Sequence, residues 1–145
     1  MPSKTASLLV QVASILFISA CHPAPMPPTP LTLAVDSTAY HRRGQAPVTV
    51  PFAITNTGST PLYVSQCDGS PAPVIDRLIW GNWRFWEGGF CNGGSSVPLL
   101  LPPGNSVLGM VAFYSGGHFR LRVGTTTDPQ SSGSRVIASR EFDVW

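Results

Sequence analysis

Cys21, Cys67 and Cys91, with His22, His41 and His118, carry most of the reactive chemistry this chain can offer. Thiols can be acylated, paired or metal-bound, and imidazoles can ligate metal or move protons. Spacing narrows those options. There is no Cys-x-x-Cys, and no histidine lies between Cys67 and Cys91, so a closed zinc or redox centre lacks its ligands. Met26 and Met110 with His22 and His118 are donors suited to copper, but no dense spacing links them, and Met110 reads as core filler. No Gly-x-Ser-x-Gly, His-Glu-x-x-His or phosphate-loop pattern occurs. Asp76 and Glu87 flank an apolar stretch and would oppose each other across a hairpin, the arrangement of an acid–base pair. The plainer reading makes them solvated strand ends neutralised by Arg77 and Arg84. The expectation is a chain without catalytic residues, metal or cofactor.

Arginine and tryptophan offer a different chemistry, that of contact. Trp80, Trp83, Phe85 and Trp86 cluster with Arg77 and Arg84, and Arg120 and Arg122 alternate with apolar residues further on. Trp and Arg dominate binding hot spots. The candidate binding residues are therefore Trp86, Arg77, Arg84, Arg120 and Arg122.

The N-terminus places these residues in a compartment. Lys4 precedes Leu8, Leu9, Val10, Val12, Ile15, Leu16 and Phe17, followed by small residues, in the order of a secretory signal. A transmembrane helix needs about 20 apolar residues. The run here is shorter and is interrupted by Gln11. It ends Ile18-Ser19-Ala20-Cys21. This ending resembles the lipobox of bacterial lipoproteins. The resemblance implies cleavage before Cys21, lipidation of Cys21, and a protein held at the cell membrane or outer membrane with its domain on the extracytoplasmic side. His22 after the cysteine favours outer-membrane sorting by the same resemblance. With Cys21 so used in an exported chain, Cys67 and Cys91 remain as one pair with one connectivity, a disulfide. Closing that loop is worth about 3 kcal/mol in the chain-entropy account.

The expected organisation is a signal at 1–20, a tether at 21–30 and a domain at 31–145. Five prolines in residues 22–30 favour an extended spacer of about 30 Å. Charged residues make up only 11%, the net charge is +2 and Lys4 is the sole lysine. That excludes a nucleic-acid partner and Schiff-base chemistry.

Period-two alternation runs through most of the domain. Leu31, Leu33 and Val35 should face inward, as should Val48, Val50, Phe52 and Ile54. Pro51 requires an edge or bulge there. A third strand is expected over residues 62–67. Gly81-Asn82 reads as a hairpin turn. It sets Trp80 opposite Trp83, Leu78 opposite Phe85 and Arg77 opposite Trp86. Leu78, Trp80, Trp83 and Phe85 would then share the core face, with Arg77, Ile79, Arg84 and Trp86 on the other, where guanidinium can stack on indole. The strand over 107–114, apolar on both faces, reads as central. Phe119, Leu121 and Val123 should point in, and His118, Arg120 and Arg122 out. Phe142 and Val144 should close the core.

Seven or eight short antiparallel strands define an all-β, immunoglobulin-like sandwich. The order of the strand at 48–58 with its Asn56 turn, the tryptophan hairpin and the Pro102-Pro103-Gly104 turn resembles immunoglobulin-like envelope domains of bacteria. It is fainter in its similarity to the BsuPI-type proteinase-inhibitor domain. These resemblances imply a non-catalytic binding or structural role toward another envelope protein. The alternatives are a proteinase inhibitor presenting residues 68–73 or 91–96, and a metal or small-ligand carrier.

Overall fold

Alternation of large apolar and polar side chains becomes strand after strand in the structure, a computed structural model that describes residues 30–88, 97–130 and 134–145. The signal, residues 21–29 of the tether with Cys21, and Cys91 lie outside the described residues. Thirteen short strands occur among those described. They are β1 (Leu31–Val35), β2 (Ala39–Tyr40), β3 (Val48–Asn56), β4 (Leu62–Val64), β5 (Gln66–Cys67), β6 (Ser70–Pro71), β7 (Val74–Ile79), β8 (Asn82–Gly88), β9 (Leu99–Leu101), β10 (Ser106–Phe113), β11 (Gly117–Thr126), β12 (Arg135–Ala138) and β13 (Phe142–Val144).

One sheet has the order β1-β3-β10. In the other, β11 is central: β12 and β13 pair with it on one side, β4 and β7 on the other. β8 continues beyond β7 and β9 beyond β4, while β2 adds in parallel to β13. Merging β4 with β7 and β12 with β13 leaves an immunoglobulin-type division. β1, β3 and β10 take the places of strands A, B and E, and β4–β7, β11 and β12–β13 those of C, F and G, with β8 as the added C′. The expected third strand is thus split. After Val64 the chain leaves the sheet as the small β5–β6 hairpin and rejoins β11 at Val74.

The core lies between the sheets. Leu31, Leu33 and Val35 meet Val50, Phe52 and Ile54 from one side, and Phe119, Leu121, Val123, Phe142 and Val144 from the other. Phe113 packs on Phe119 at 4.8 Å and edge-on to Phe142 at 5.5 Å. Asn56 is fully buried at the Asn turn. Its amide donates to Thr60 and Leu101 carbonyls at 2.8 and 2.9 Å, and its oxygen accepts from the Gly58 N–H at 3.0 Å. Every polar atom of that side chain is matched, as burial demands.

One expectation about these strands is met and one changes. β3 is central, and its register with β10 passes Pro51 opposite Met110 without a bulge. Pro51 sits one residue beyond the last β1 pair, Val35 with Phe52, so the edge is local. Among the described residues β10 pairs with β3 alone and is an edge strand of the small sheet, not a central one. Leu108 and Met110, each 76% exposed, point to solvent, so Met110 is not core filler.

The registers also fix two ends. Pro30, Asn56, Leu62 and Thr126 lie at the end where the chain enters. Tyr40, Val48, Phe113, Gly117 and Val144 lie at the far end, and Ile79 reaches the same level.

Candidate interaction face

The β7–β8 hairpin turns at Trp80 and Gly81, not at Gly81 and Asn82. Both residues have positive φ, 48° and 75°, as a type I′ turn requires. Ile79 therefore opposes Asn82, Leu78 opposes Trp83 and Arg77 opposes Arg84. Partners move by two residues, so the expected grouping by face largely survives. Its orientation is inverted. β11 sets Leu121 against Ile75 and Phe119 against Arg77, and both β11 residues are buried. Ile75 and Arg77 thus face inward, while Asp76, Leu78, Trp83 and Phe85 face outward. Trp80, Trp83 and Phe85 are not core residues: Trp80 is 97% exposed and Phe85 54%. The three-stranded sheet is too narrow to cover β8, which overhangs it.

Asp76 and Glu87 do not oppose each other. A bulge between Ile75 and Asp76 sets Glu87 against Ile75 and Phe85 against Asp76. Nor is Asp76 a solvated strand end neutralised by Arg77 and Arg84; it is 2% exposed. Arg120 Nε donates to its Oδ2 at 3.1 Å and an Arg122 terminal nitrogen to its Oδ1 at 2.9 Å. Arg122 Nε lies 2.6 Å from Oδ2 without the alignment of a hydrogen bond.

From this clamp a ladder of stacked groups crosses the outer face. The Arg120 guanidinium lies 4.4 Å from the Trp83 ring centroid. Trp83 stacks on His118 at 5.7 Å with 30° between planes. His118 Nδ1 meets Asp143 at 2.7 Å and Nε2 meets Glu141 at 2.9 Å. The Glu141 carboxylate first, then Asp143, raises the imidazole's pKa above its ordinary value, against a smaller opposing effect of burial. His118, Arg120 and Arg122 face outward as alternation implied, but they form a paired network with Asp76 and Trp83.

Arg77 and Trp86 form the stack expected of them, on the other side of the hairpin. The guanidinium sits 4.5 Å from the Trp86 ring and 5.6 Å from Phe119, and donates to the Gly116 carbonyl at 2.8 Å. Gly117 is required there, since a Cβ would stand 2.6 Å from Arg77 Nε. Arg84 is exposed across the ladder from Arg77. Sequence reasoning missed Asp76 as the charge that organises Arg120 and Arg122. The alternation of Ile75 with Asp76 was its only signal.

Of the loops named for protease entry, Asp68 and Gly69 make an exposed turn at the β5–β6 tip, and 91–96 lie outside the described residues. No group of three or more His, Cys, Asp or Glu able to hold a metal occurs among the described residues.

No family model matches the chain, and no curated protein matches it. Among solved structures, the ASH/PapD-like domain of human CEP192 (its PapD-like domain 7) is 12% identical with a TM-score of 0.43, over 99% of this chain and 96% of that one. The CARDB domain of a Pyrococcus furiosus protein, in complex with di-metal ions, is 12% identical with a TM-score of 0.39, over 79% of this chain and 91% of that one.

Proposed function

We propose that this protein is a cell-envelope lipoprotein, anchored through Cys21, whose immunoglobulin-type domain has a non-catalytic role: it binds another envelope protein through the hairpin. The observation that supports the binding role is the overhang of β8. Trp83, Phe85 and Trp86 stand outside the sandwich, and Arg120 and Arg77 hold two of these rings in fixed orientations. Pre-ordered aromatics lose little rotamer entropy on binding, which is what makes such anchors efficient. Core formation does not explain them, because no second sheet among the described residues covers them.

A photo-crosslinking residue at Phe85, with a control at Thr32 on the opposite sheet, tests this in intact cells. A discrete protein adduct from position 85 alone is the expected result. No adduct, or the same adducts at both positions, would remove the hairpin as a binding face.

A further inference from the structure

Trp80 occupies a position that folding does not favour for it. The first residue of a type I′ turn wants Asn, Asp or Gly, because only these accept positive φ readily. A bulky side chain at φ 48° is strained; the Asn82 side-chain amide donates to the Trp80 carbonyl at 3.1 Å, but the ring itself is 97% exposed, so its burial does not offset the strain. Strain held at an uncovered aromatic points to a contact outside the domain.

Its neighbours at the far end share that character. Trp145 and Tyr114, each 66% exposed, follow the last residues of β13 and β10. The His41-Arg42-Arg43 loop follows β2 at the same level, and the Arg42 N–H donates to the Trp145 carbonyl at 2.9 Å. Arg84 on β8 adds another cation close by. The acidic residues nearest this end are Asp143, paired with His118, and Asp36, which accepts from the Tyr40 hydroxyl and keeps its charge; Arg42, Arg43 and Arg84 outnumber them. Three exposed aromatics with an excess of arginine over acidic residues, presented together at one end, match the chemistry of a bilayer interface: amphipathic rings at headgroup depth and cations against anionic lipid. The aromatic end is opposite Pro30, where the tether joins. The ten residues of β11 separate the two ends by about 30 Å.

We infer that the far end of the sandwich, through Trp80, Trp145, Tyr114 and the Arg42-Arg43 loop, docks on an anionic lipid surface. The contact does not need the Cys21 anchor, so it stands or falls apart from the function proposed above.

The test uses the full chain reconstituted in phosphatidylcholine vesicles, mixed with free vesicles, with all acyl chains brominated to quench any inserted tryptophan. One sample has phosphatidylcholine alone throughout; the other has equal parts phosphatidylglycerol in both populations. Flotation reads retention on the first vesicles separately and so reports on the anchor. Quenching that requires phosphatidylglycerol is expected, whether the contact is with the same or a facing vesicle. Trp80→Asn, which suits the turn and leaves the fold intact, should abolish most of it. Arg42→Gln and Arg43→Gln should each weaken partitioning about fivefold. Absence of quenching, equal quenching in phosphatidylcholine alone, or undiminished quenching in Trp80→Asn with an unchanged melting temperature would overturn the inference. So would binding of a soluble anionic polysaccharide in place of the vesicles.

Discussion

Asp76 sits on the solvent face of a sheet and yet is 2% exposed, because two arginines close over it. Removing it would leave Arg120 and Arg122 without their shared partner and release Trp83 from its cation. Both guanidinia are about a third exposed, so water would compensate in part. Asp76→Ala should therefore cost roughly 2–3 kcal/mol, below the value for a fully buried pair, and chemical denaturation would measure it. His118 gives a pH signature of known sign. Its folded pKa is raised, so its contribution to stability is complete below the ordinary value of 6.5 and is lost as pH climbs through the raised value. Melting temperature should fall over that interval, and His118→Gln should flatten the decline. Unchanged pH dependence in the variant would remove the carboxylates as the cause.

At the scale of elements, the hairpin and the β5–β6 excursion carry separate expectations. Trp80→Asn should leave the melting temperature unchanged or raise it, since Asn accepts the positive φ that tryptophan resists. A clear loss of stability would show that the ring is packed in solution. The proposed Cys67–Cys91 disulfide would tie β5 to the segment between β8 and β9. Cys67→Ser should then lower stability by about 3 kcal/mol, and free-thiol titration of the oxidised wild type checks the pairing directly. The strands themselves were readable because burial imposes period two: β1, β3 and β11 alternate as expected. The hairpin's orientation was not readable. Its two faces are both aromatic or apolar in part, so local pattern cannot say which one the core receives.

For the whole molecule, the surfaces that matter are the entry end, the far aromatic end and the overhanging hairpin, whose tip Trp80 belongs to the far end. The proposed anchor concerns only the first. Cys21→Ala should shift the protein from the membrane to the soluble fraction or leave it unprocessed, read by fractionation. Normal membrane retention would contradict the lipobox resemblance.

The sequence by itself determined what alternation and small motifs can encode. It specified an all-β chain, the inward sets of its main strands, the Asn56 turn and the outward stripe of His118, Arg120 and Arg122. Only the tertiary structure decided which strands lie at edges, which hairpin face meets the core, and which arginines share Asp76. Those outcomes depend on the pairing of β11 with β7 and on the narrowness of the three-stranded sheet. Both are long-range, and burial is a property of what lies opposite a residue, which its own neighbours in the chain do not record.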